Sequence, residues 1–142
     1  MALFHCLVPA GSLDADTRAA LATAITTIHS TVMYAPSGLV NVVFTEYEPT
    51  AFYTAGRPNT VSVINATIRA GHDRERRAQL LTQLSQSWSS ITGQDLRQLW
   101  LCLNEVDPTS SMEGGMILPA FGEEAVWARQ NNQRIEELRS GY

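Results

Sequence analysis

The stretch DADTRAALATAITTIHSTVMYAPSGLVNVVFTEYEP, residues 14–49, recurs without a gap as DRERRAQLLTQLSQSWSSITGQDLRQLWLCLNEVDP, residues 73–108, at an offset of 59 positions. Eight of the 36 aligned positions are identical: Asp14/Asp73, Arg18/Arg77, Ala19/Ala78, Leu21/Leu80, Thr23/Thr82, Ser30/Ser89, Glu46/Glu105 and Pro49/Pro108. A repeat of this length is one supersecondary unit used twice. The fold of one copy therefore predicts most of the architecture, and the differences between the copies mark positions with a special role.

Each copy has the pattern of a β-α-β unit. In the first copy, apolar residues recur every three or four positions from Leu21 to Val32, which predicts an amphipathic helix capped by Asp14 or Asp16. Short β-rich runs on either side of each helix predict strands. The predicted elements are strands at 3–8 and 39–46 around the first helix, then a strand at 61–68, a helix at 73–91 and a strand at 99–105.

The remaining segments are shorter. Residues 49–60 contain proline and glycine and are predicted to link the copies, whereas Gly114-Gly115 indicates a hairpin within residues 110–118. Residues 123–138 are predicted to form one terminal helix. We therefore expect a single α+β domain over residues 1–142, with repeat copies at about 2–49 and 61–108 and a C-terminal hairpin and helix at 110–139. Right-handed crossovers would give a four-stranded mixed sheet with two helices on one face.

The face of this sheet without helices is predicted to be apolar. Its residues are expected to come from a set of six: Leu3, Val40, Val42, Val63, Leu99 and Leu101. A helix-on-sheet domain this hydrophobic should bury its open face against another subunit, so we expect an oligomer.

Composition excludes several classes of function. The net charge of −4 and the lack of a basic run interleaved with aromatic residues argue against nucleic-acid binding. No apolar run is long enough to cross a bilayer and no secretion signal is present, so we expect a cytoplasmic protein without a membrane partner. Cys6 and Cys102 have no metal-ligand spacing and are expected to be buried free thiols in strands, and we expect no metal and no cofactor.

All ten cationic residues are arginine. The only amine available for chemistry is then the amino terminus, which excludes catalysis by a lysine base or a lysine Schiff base.

Four stretches resemble the tautomerase superfamily: ITTIH (25–29), GLVNVVFTE (38–46), ATIRAG (66–71) and LWLCLNE (99–105). The resemblance runs from residue 2 to about residue 128 and is greatest to the cis-3-chloroacrylic acid dehalogenase-like group. It implies a tandem β-α-β fold and a homotrimer with sheets packed around a central axis. It also implies that an amino-terminal proline acts as general acid or base toward small unsaturated carboxylates. In that family a histidine and a glutamate position or activate a water molecule, two arginines hold the substrate carboxylate, and a tyrosine assists.

The resemblance carries over to this chain only in part. It assigns catalytic positions to Ala2, His29 and Glu113, and substrate-binding positions to Arg69, His72 and Cys102. Alanine stands where the family has proline, and it offers a primary terminal amine if Met1 is removed. His72 and Cys102 stand where the family has its second arginine and its tyrosine, and Glu113 matches only if one residue is deleted in the 112–119 hairpin.

Each position also has a purely structural interpretation. His29 is then a polar residue on the outer helix face, Arg69 a partner of Glu48 or Asp73, and Glu113 an exposed hairpin residue. Cys102 is then inert core. His72 is a helix-start residue, although a protonated imidazole would replace part of the missing arginine's charge.

These departures leave two functional hypotheses. The first is a protein that binds a small unsaturated or keto carboxylate at a subunit interface, with at most weak tautomerase or hydratase activity and poor dehalogenation. The alternative is a non-catalytic trimer that binds a small ligand or acts as a scaffold. A different fold with the same strand order, the ferredoxin-like dimeric barrel of small monooxygenases, would form a dimer instead.

Overall fold

The computed structural model describes residues 1–141, which form eight strands and four helices around an α+β core. In chain order these are β1 (Ala2–Pro9), α1 (Ala15–Met33), β2 (Val40–Tyr47), β3 (Tyr53–Thr54), β4 (Arg57–Pro58), β5 (Ser62–Arg69), α2 (Arg74–Thr92), β6 (Leu99–Val106), β7 (Met112–Glu113), β8 (Met116–Ile117), α3 (Glu124–Gln130) and α4 (Asn132–Ser140).

The main sheet has the order β2-β1-β5-β6, and it is mixed as predicted. Strands β1 and β2 are parallel, β5 and β6 are parallel, and the central pair β1 and β5 is antiparallel. Helices α1 and α2 pack side by side on one face of this sheet and share one core with it. The tandem β-α-β prediction is therefore confirmed.

The two long helices begin in the same way because the repeat preserves their caps. The carboxylates of Asp14 and Asp73 each accept a hydrogen bond, at 2.7 Å, from the backbone N–H three residues on. This pairing satisfies a donor that the first turn would otherwise leave unpaired. The core between helices and sheet contains Phe4, Leu21, Ile64, Ile68, Leu80, Leu84 and Trp88.

The repeat extends further than the sequence predicted. Residues 49–60, expected to be a simple link, contain the hairpin β3–β4, which corresponds at the same offset of 59 to the hairpin β7–β8. The turn residues Ala55-Gly56 and Gly114-Gly115 all have positive φ, between 51° and 79°, the combination that a type I′ turn needs. The C-terminal hairpin was predicted, whereas its counterpart was missed.

The predicted terminal helix 123–138 is wrong as a single helix. Helices α3 and α4 meet at Asn131, whose backbone has φ −114° and ψ 11°. The Trp127 carbonyl accepts two hydrogen bonds from Asn131, from the side-chain amide at 2.8 Å and from the backbone N–H at 3.0 Å. Beyond this break, Ile135 packs with Leu39 and Met116 in a second, smaller core.

The prediction of which residues form the open face is wrong in part. Val40, Val42, Leu99 and Leu101 pack against the helix-covered core, so only Leu3 and Val63 of the six expected residues lie on the open face. The alternation along the strands places apolar and polar side chains there together, the latter including His5, Asn41, Asn65 and Asn104. None of the helices within residues 1–141 has the length and apolarity needed to cross a membrane.

Candidate functional site

A cavity of about 580 Å³ lies where the end of α1, the end of β5 and the α3 region meet. Its wall includes Met1, His29, Arg69 and His72, four positions brought together from three separate segments. Apolar and aromatic side chains supply much of the remaining wall: Met33, Tyr34, Leu39, Leu118, Phe121 and Trp127. A mostly apolar cavity with a few convergent polar groups is the usual form of a small-molecule site.

His29 faces inward from α1 and is only 2% exposed, so the outer-face interpretation is wrong. Within the described residues its Nδ1 atom is buried and has no hydrogen-bond partner. Burial lowers the pKa of His29 to about 3, with smaller contributions from the positive charges of the amino terminus and His72. The imidazole is therefore neutral at physiological pH and can accept or donate one hydrogen bond at the cavity.

The second repeat copy carries no such group at the equivalent position. Trp88 stands there, is 1% exposed, and donates from Nε1 to the Gln94 side chain at 2.9 Å. The two halves of the pseudosymmetric fold thus differ at this position: the first half has an imidazole at the cavity, and the second half has a buried tryptophan side chain.

Arg69 ends strand β5 and reaches the C-terminal part of the chain. Its Nη2 atom lies 2.8 Å from Oε1 of Glu124 and donates to the Pro119 carbonyl at 3.2 Å. In the part of the chain that the structure describes, its Nε atom is buried with no hydrogen-bond partner. The structural alternative for Arg69, pairing with Glu48 or Asp73, is wrong, because the pair is formed with Glu124.

His72 lines the cavity one residue before the N-cap of α2. Burial lowers its pKa, as do the nearby guanidinium groups of Arg76 and Arg69, and the carboxylate of Glu105 only partly opposes this. A protonated imidazole is therefore disfavoured here, contrary to the expectation that His72 replaces the charge of the missing arginine.

The amino terminus lies in the same region. The amino group of Met1 is buried, and this burial lowers its pKa, with Glu113 opposing and Arg69 reinforcing the shift. Ala2 is buried on the helix side of β1. An unprotonated amine is consequently more abundant at neutral pH than at an ordinary chain end.

Glu113 lies in β7, close enough to influence this amine, but it is not on the cavity wall. Asn41 donates from its side-chain amide to Oε1 of Glu113, while within residues 1–141 the Oε2 atom is buried and has no hydrogen-bond partner. The interpretation of Glu113 as an exposed hairpin residue is therefore wrong.

Cys102 is separated from the cavity. Its neighbours Leu101 and Leu103 contact the helix-covered core, so the alternation of β6 turns Cys102 toward the open face, where it is half-buried. Cys6 is fully buried, and burial raises the pKa of its thiol to about 12. The expectation of two buried thiols is correct for Cys6 and wrong for Cys102.

Three charged residues of the cavity wall were not predicted as site residues: Asp73, Arg76 and Glu124. The guanidinium carbon of Arg76 lies 4.8 Å from the centroid of the Tyr34 ring, a cation–π contact. Asp73 and Arg76 lie at the start of α2, close in sequence to His72, but no sequence pattern connected Glu124 with Arg69.

Similar proteins share this arrangement of strands and helices. N1, described as a member of the cis-3-chloroacrylic acid dehalogenase (cis-CaaD) family, is 29% identical, with 98% of this chain and 99% of that chain covered and a TM-score of 0.90. Native Ps01740 is 32% identical over 78% of this chain and 99% of that chain, with a TM-score of 0.76. A fused 4-OT described as a symmetric trimer is 24% identical over 89% of this chain and 98% of that chain, with a TM-score of 0.72, and this likeness shows the fold alone.

No curated protein matches the sequence. The family described as "Putative oxalocrotonate tautomerase enzyme" matches residues 1–132, which is nearly the whole chain. Together with the fold, this match confirms the resemblance inferred from the four sequence stretches. The chain belongs to the tautomerase superfamily, in its cis-3-chloroacrylic acid dehalogenase-like group.

Proposed function

We propose that the protein binds a small unsaturated or keto carboxylate in the cavity, with at most weak tautomerase or hydratase activity. The observation that carries this proposal is the environment of Arg69. Its guanidinium lies at the cavity wall, already pairs with one carboxylate, and keeps a buried Nε–H without a partner within the described chain. The planar fork of arginine suits bidentate binding of a carboxylate.

The terminal amine and His29, both with lowered pKa values, support proton transfer at this fork. Tautomerisation of an enol acid removes the proton of the enol hydroxyl and places a proton on the neighbouring carbon. A terminal amine with a lowered pKa can take up and return such a proton, and neutral His29 can hold the reacting oxygen. Removal of Met1 would move this amine to Ala2.

Several features argue for weak activity and poor dehalogenation. The terminal amine is primary, His72 is disfavoured as a cation, and Cys102 does not line the cavity. Dehalogenation needs both an activated water and a firmly held carboxylate, whereas tautomerisation needs mainly one proton shuttle. Glu113, the candidate that would activate the water, pairs with Asn41 and does not line the cavity.

We also propose a homotrimer that covers the open face of the sheet and places the cavity near a subunit interface. Leu3 and Trp100 on this face are 45% and 59% exposed in the single chain, and burial of such side chains favours association. The fused 4-OT that shares this fold is described as a symmetric trimer, so the fold is compatible with the same assembly. Sedimentation equilibrium should give three times the chain mass, and a stable dimer would contradict this proposal.

The test of the binding site compares Arg69→Ala with Arg97→Ala. Arg97 pairs with Asp95 in an exposed position, so its loss removes one positive charge at a site that does not line the cavity. Arg69→Ala should weaken binding of crotonate, a small unsaturated acid, by at least about tenfold, as expected for loss of a charge-assisted contact, while Arg97→Ala binds as the wild type does. Equal binding by both variants would contradict the proposal.

The alternative is a non-catalytic binding protein, and the carboxylate of Glu124 on Arg69 favours it, because this pair occupies the group that would hold a substrate. A rise in melting temperature with crotonate, without turnover of enol acids, would support the alternative. Measurable turnover that His29→Ala abolishes would exclude it.

A further inference from the structure

The side chain of Glu124 occupies Arg69 from within the same chain. The two charged groups lie 2.8 Å apart, with side-chain exposures of 16% for Arg69 and 44% for Glu124. Both residues line the cavity, so their contact is made at the cavity wall.

A second contact comes from the same part of the chain. The Pro119 carbonyl accepts a hydrogen bond from Nη2 of Arg69 at 3.2 Å. Residues 118–128, here termed the C-terminal wall, also place Phe121 and Trp127 at the cavity. The guanidinium thus tethers this wall over the cavity through one carboxylate and one carbonyl.

These two contacts leave one donor of the Arg69 guanidinium without a hydrogen-bond partner within the described residues. Nη2 pairs with Glu124, whereas Nε of Arg69 is buried and, among residues 1–141, has no hydrogen-bond partner. An unpaired buried donor is energetically costly. A carboxylate that arrived from the cavity in bidentate geometry would pair with this donor, which gives it an advantage over Glu124.

Helix α3, which carries Glu124, makes few buried contacts with the rest of the chain. Helix α3 has seven residues, none of which is buried, and its first turn, which holds Glu124, lacks a side-chain cap. Only Trp127 and Ala128, farther along the helix, pack against the second core. Segments with few buried contacts open locally at low free-energy cost. Helix α3 can therefore open locally, from its first turn, and release Arg69 without unfolding the main core between the sheet, α1 and α2.

We propose that Glu124 competes with ligand carboxylates for Arg69: it holds the C-terminal wall over the cavity until a ligand carboxylate displaces it. The inference rests on the proposed function, in which Arg69 binds the ligand carboxylate. Glu124 then lowers the affinity of the cavity for anionic ligands and leaves the affinity for neutral ligands of the same shape unchanged.

The experiment uses the full chain, crotonate as the anionic probe and crotonamide as its neutral counterpart, followed by NMR titration at low ionic strength. Glu124→Gln removes the competing charge with little change of shape. Because partly exposed ion pairs contribute modestly, it should lower the Kd for crotonate about 2- to 5-fold and leave that for crotonamide unchanged. Glu123→Gln, the matched loss of charge one residue earlier, should change neither.

Hydrogen exchange provides a second measurement that needs no variant. Crotonate should accelerate amide exchange in residues 124–130 of the wild type, and crotonamide should not. Equal affinities of Glu124→Gln and Glu123→Gln for crotonate, or unchanged exchange in α3, would overturn the inference. If Arg69→Ala nevertheless weakens crotonate binding, the proposed function survives, whereas crotonate binding that is insensitive to Arg69→Ala contradicts the proposed function itself.

Discussion

The imidazole of His29 meets the phenyl ring of Phe4 edge to face, with ring centroids 5.6 Å apart and ring planes at 78°. Both side chains are buried between α1 and β1. An imidazole in this apolar contact is disfavoured as a cation, which agrees with its pKa of about 3. The protein therefore carries a titratable group that its folded state keeps neutral.

The first prediction concerns stability in acid. Between the usual histidine pKa near 6.5 and the folded value of about 3, the unfolded chain binds a proton at His29 that the folded chain does not. The free energy of unfolding should thus fall with decreasing pH by up to about 1.4 kcal/mol per pH unit from this residue. Urea unfolding between pH 7 and 4 should show a shallower decline for His29→Gln than for the wild type. His5→Gln is the control, and equal slopes for His29→Gln and the wild type would contradict the assignment.

The second prediction concerns Gly71, beneath the C-terminal wall. Its φ is +109°, and a Cβ atom would lie 2.8 Å from the Phe121 ring, whereas Gly11 has φ +75° and open space around it. Gly71→Ala should therefore cost more stability than Gly11→Ala, by about 1–3 kcal/mol in urea unfolding, because it adds steric overlap to backbone strain. Equal losses would show that Phe121 moves away freely.

The third prediction separates the two ends of the fold. Trp88→Phe removes the bond to Gln94 in the core and should lower stability by about 1–3 kcal/mol without changing crotonate affinity. Trp127→Phe loses a comparable bond to the Ile117 carbonyl at the more exposed cavity wall. It should change stability less and crotonate affinity more. The reverse pattern in denaturant titrations and NMR binding would contradict the positions assigned to both tryptophans.

The fourth prediction uses the two thiols. The pKa of Cys6 is raised to about 12 by burial, and thiolate is the species that reacts with iodoacetamide. In the native protein Cys6 should stay unmodified, so that any labelling falls on Cys102, and both should react in 6 M guanidinium chloride. Peptide mass spectrometry identifies the modified residue. Native labelling of Cys6 would show that β1 opens locally.

The fifth prediction restores the family's terminal group. Ala2→Pro, once Met1 is removed, supplies a secondary amine whose φ is fixed near −65° and whose position is better defined than that of alanine's amine. Tautomerisation of the enol form of a simple 2-oxo acid should increase, while dehalogenation stays poor because His72 and Cys102 are unchanged. Ala2→Ser is the control for processing, and mass spectrometry verifies the loss of Met1. A processed trimer without any gain would favour the non-catalytic alternative.

Sequence alone determined the main architecture, because helix and strand periodicity are local properties of the chain and both repeat copies show the same periodicity. The spacing of apolar residues in Leu21–Val32 and the equal caps Asp14 and Asp73 were sufficient for the two long helices, and the β-rich runs on either side of each helix were sufficient for the strands of the sheet. The hairpin β3–β4 could also have been predicted from the sequence, since Gly56 aligns with Gly115 at the same offset. The break at Asn131 was not, because residues 123–138 contain no glycine or proline to mark it and α4 packs against Leu39 and Met116 from distant parts of the chain.

The candidate site was predicted as a set of residues, but the tertiary structure decided what surrounds each of them. His29 and Arg69 do line one cavity, whereas the direction in which Cys102 faces follows from the pleat of β6 within the assembled sheet. The pairing of Arg69 with Glu124 joins segments that no local pattern relates. Protonation of His72 likewise depends on burial and on charges from other elements, and these quantities exist only once the chain has folded.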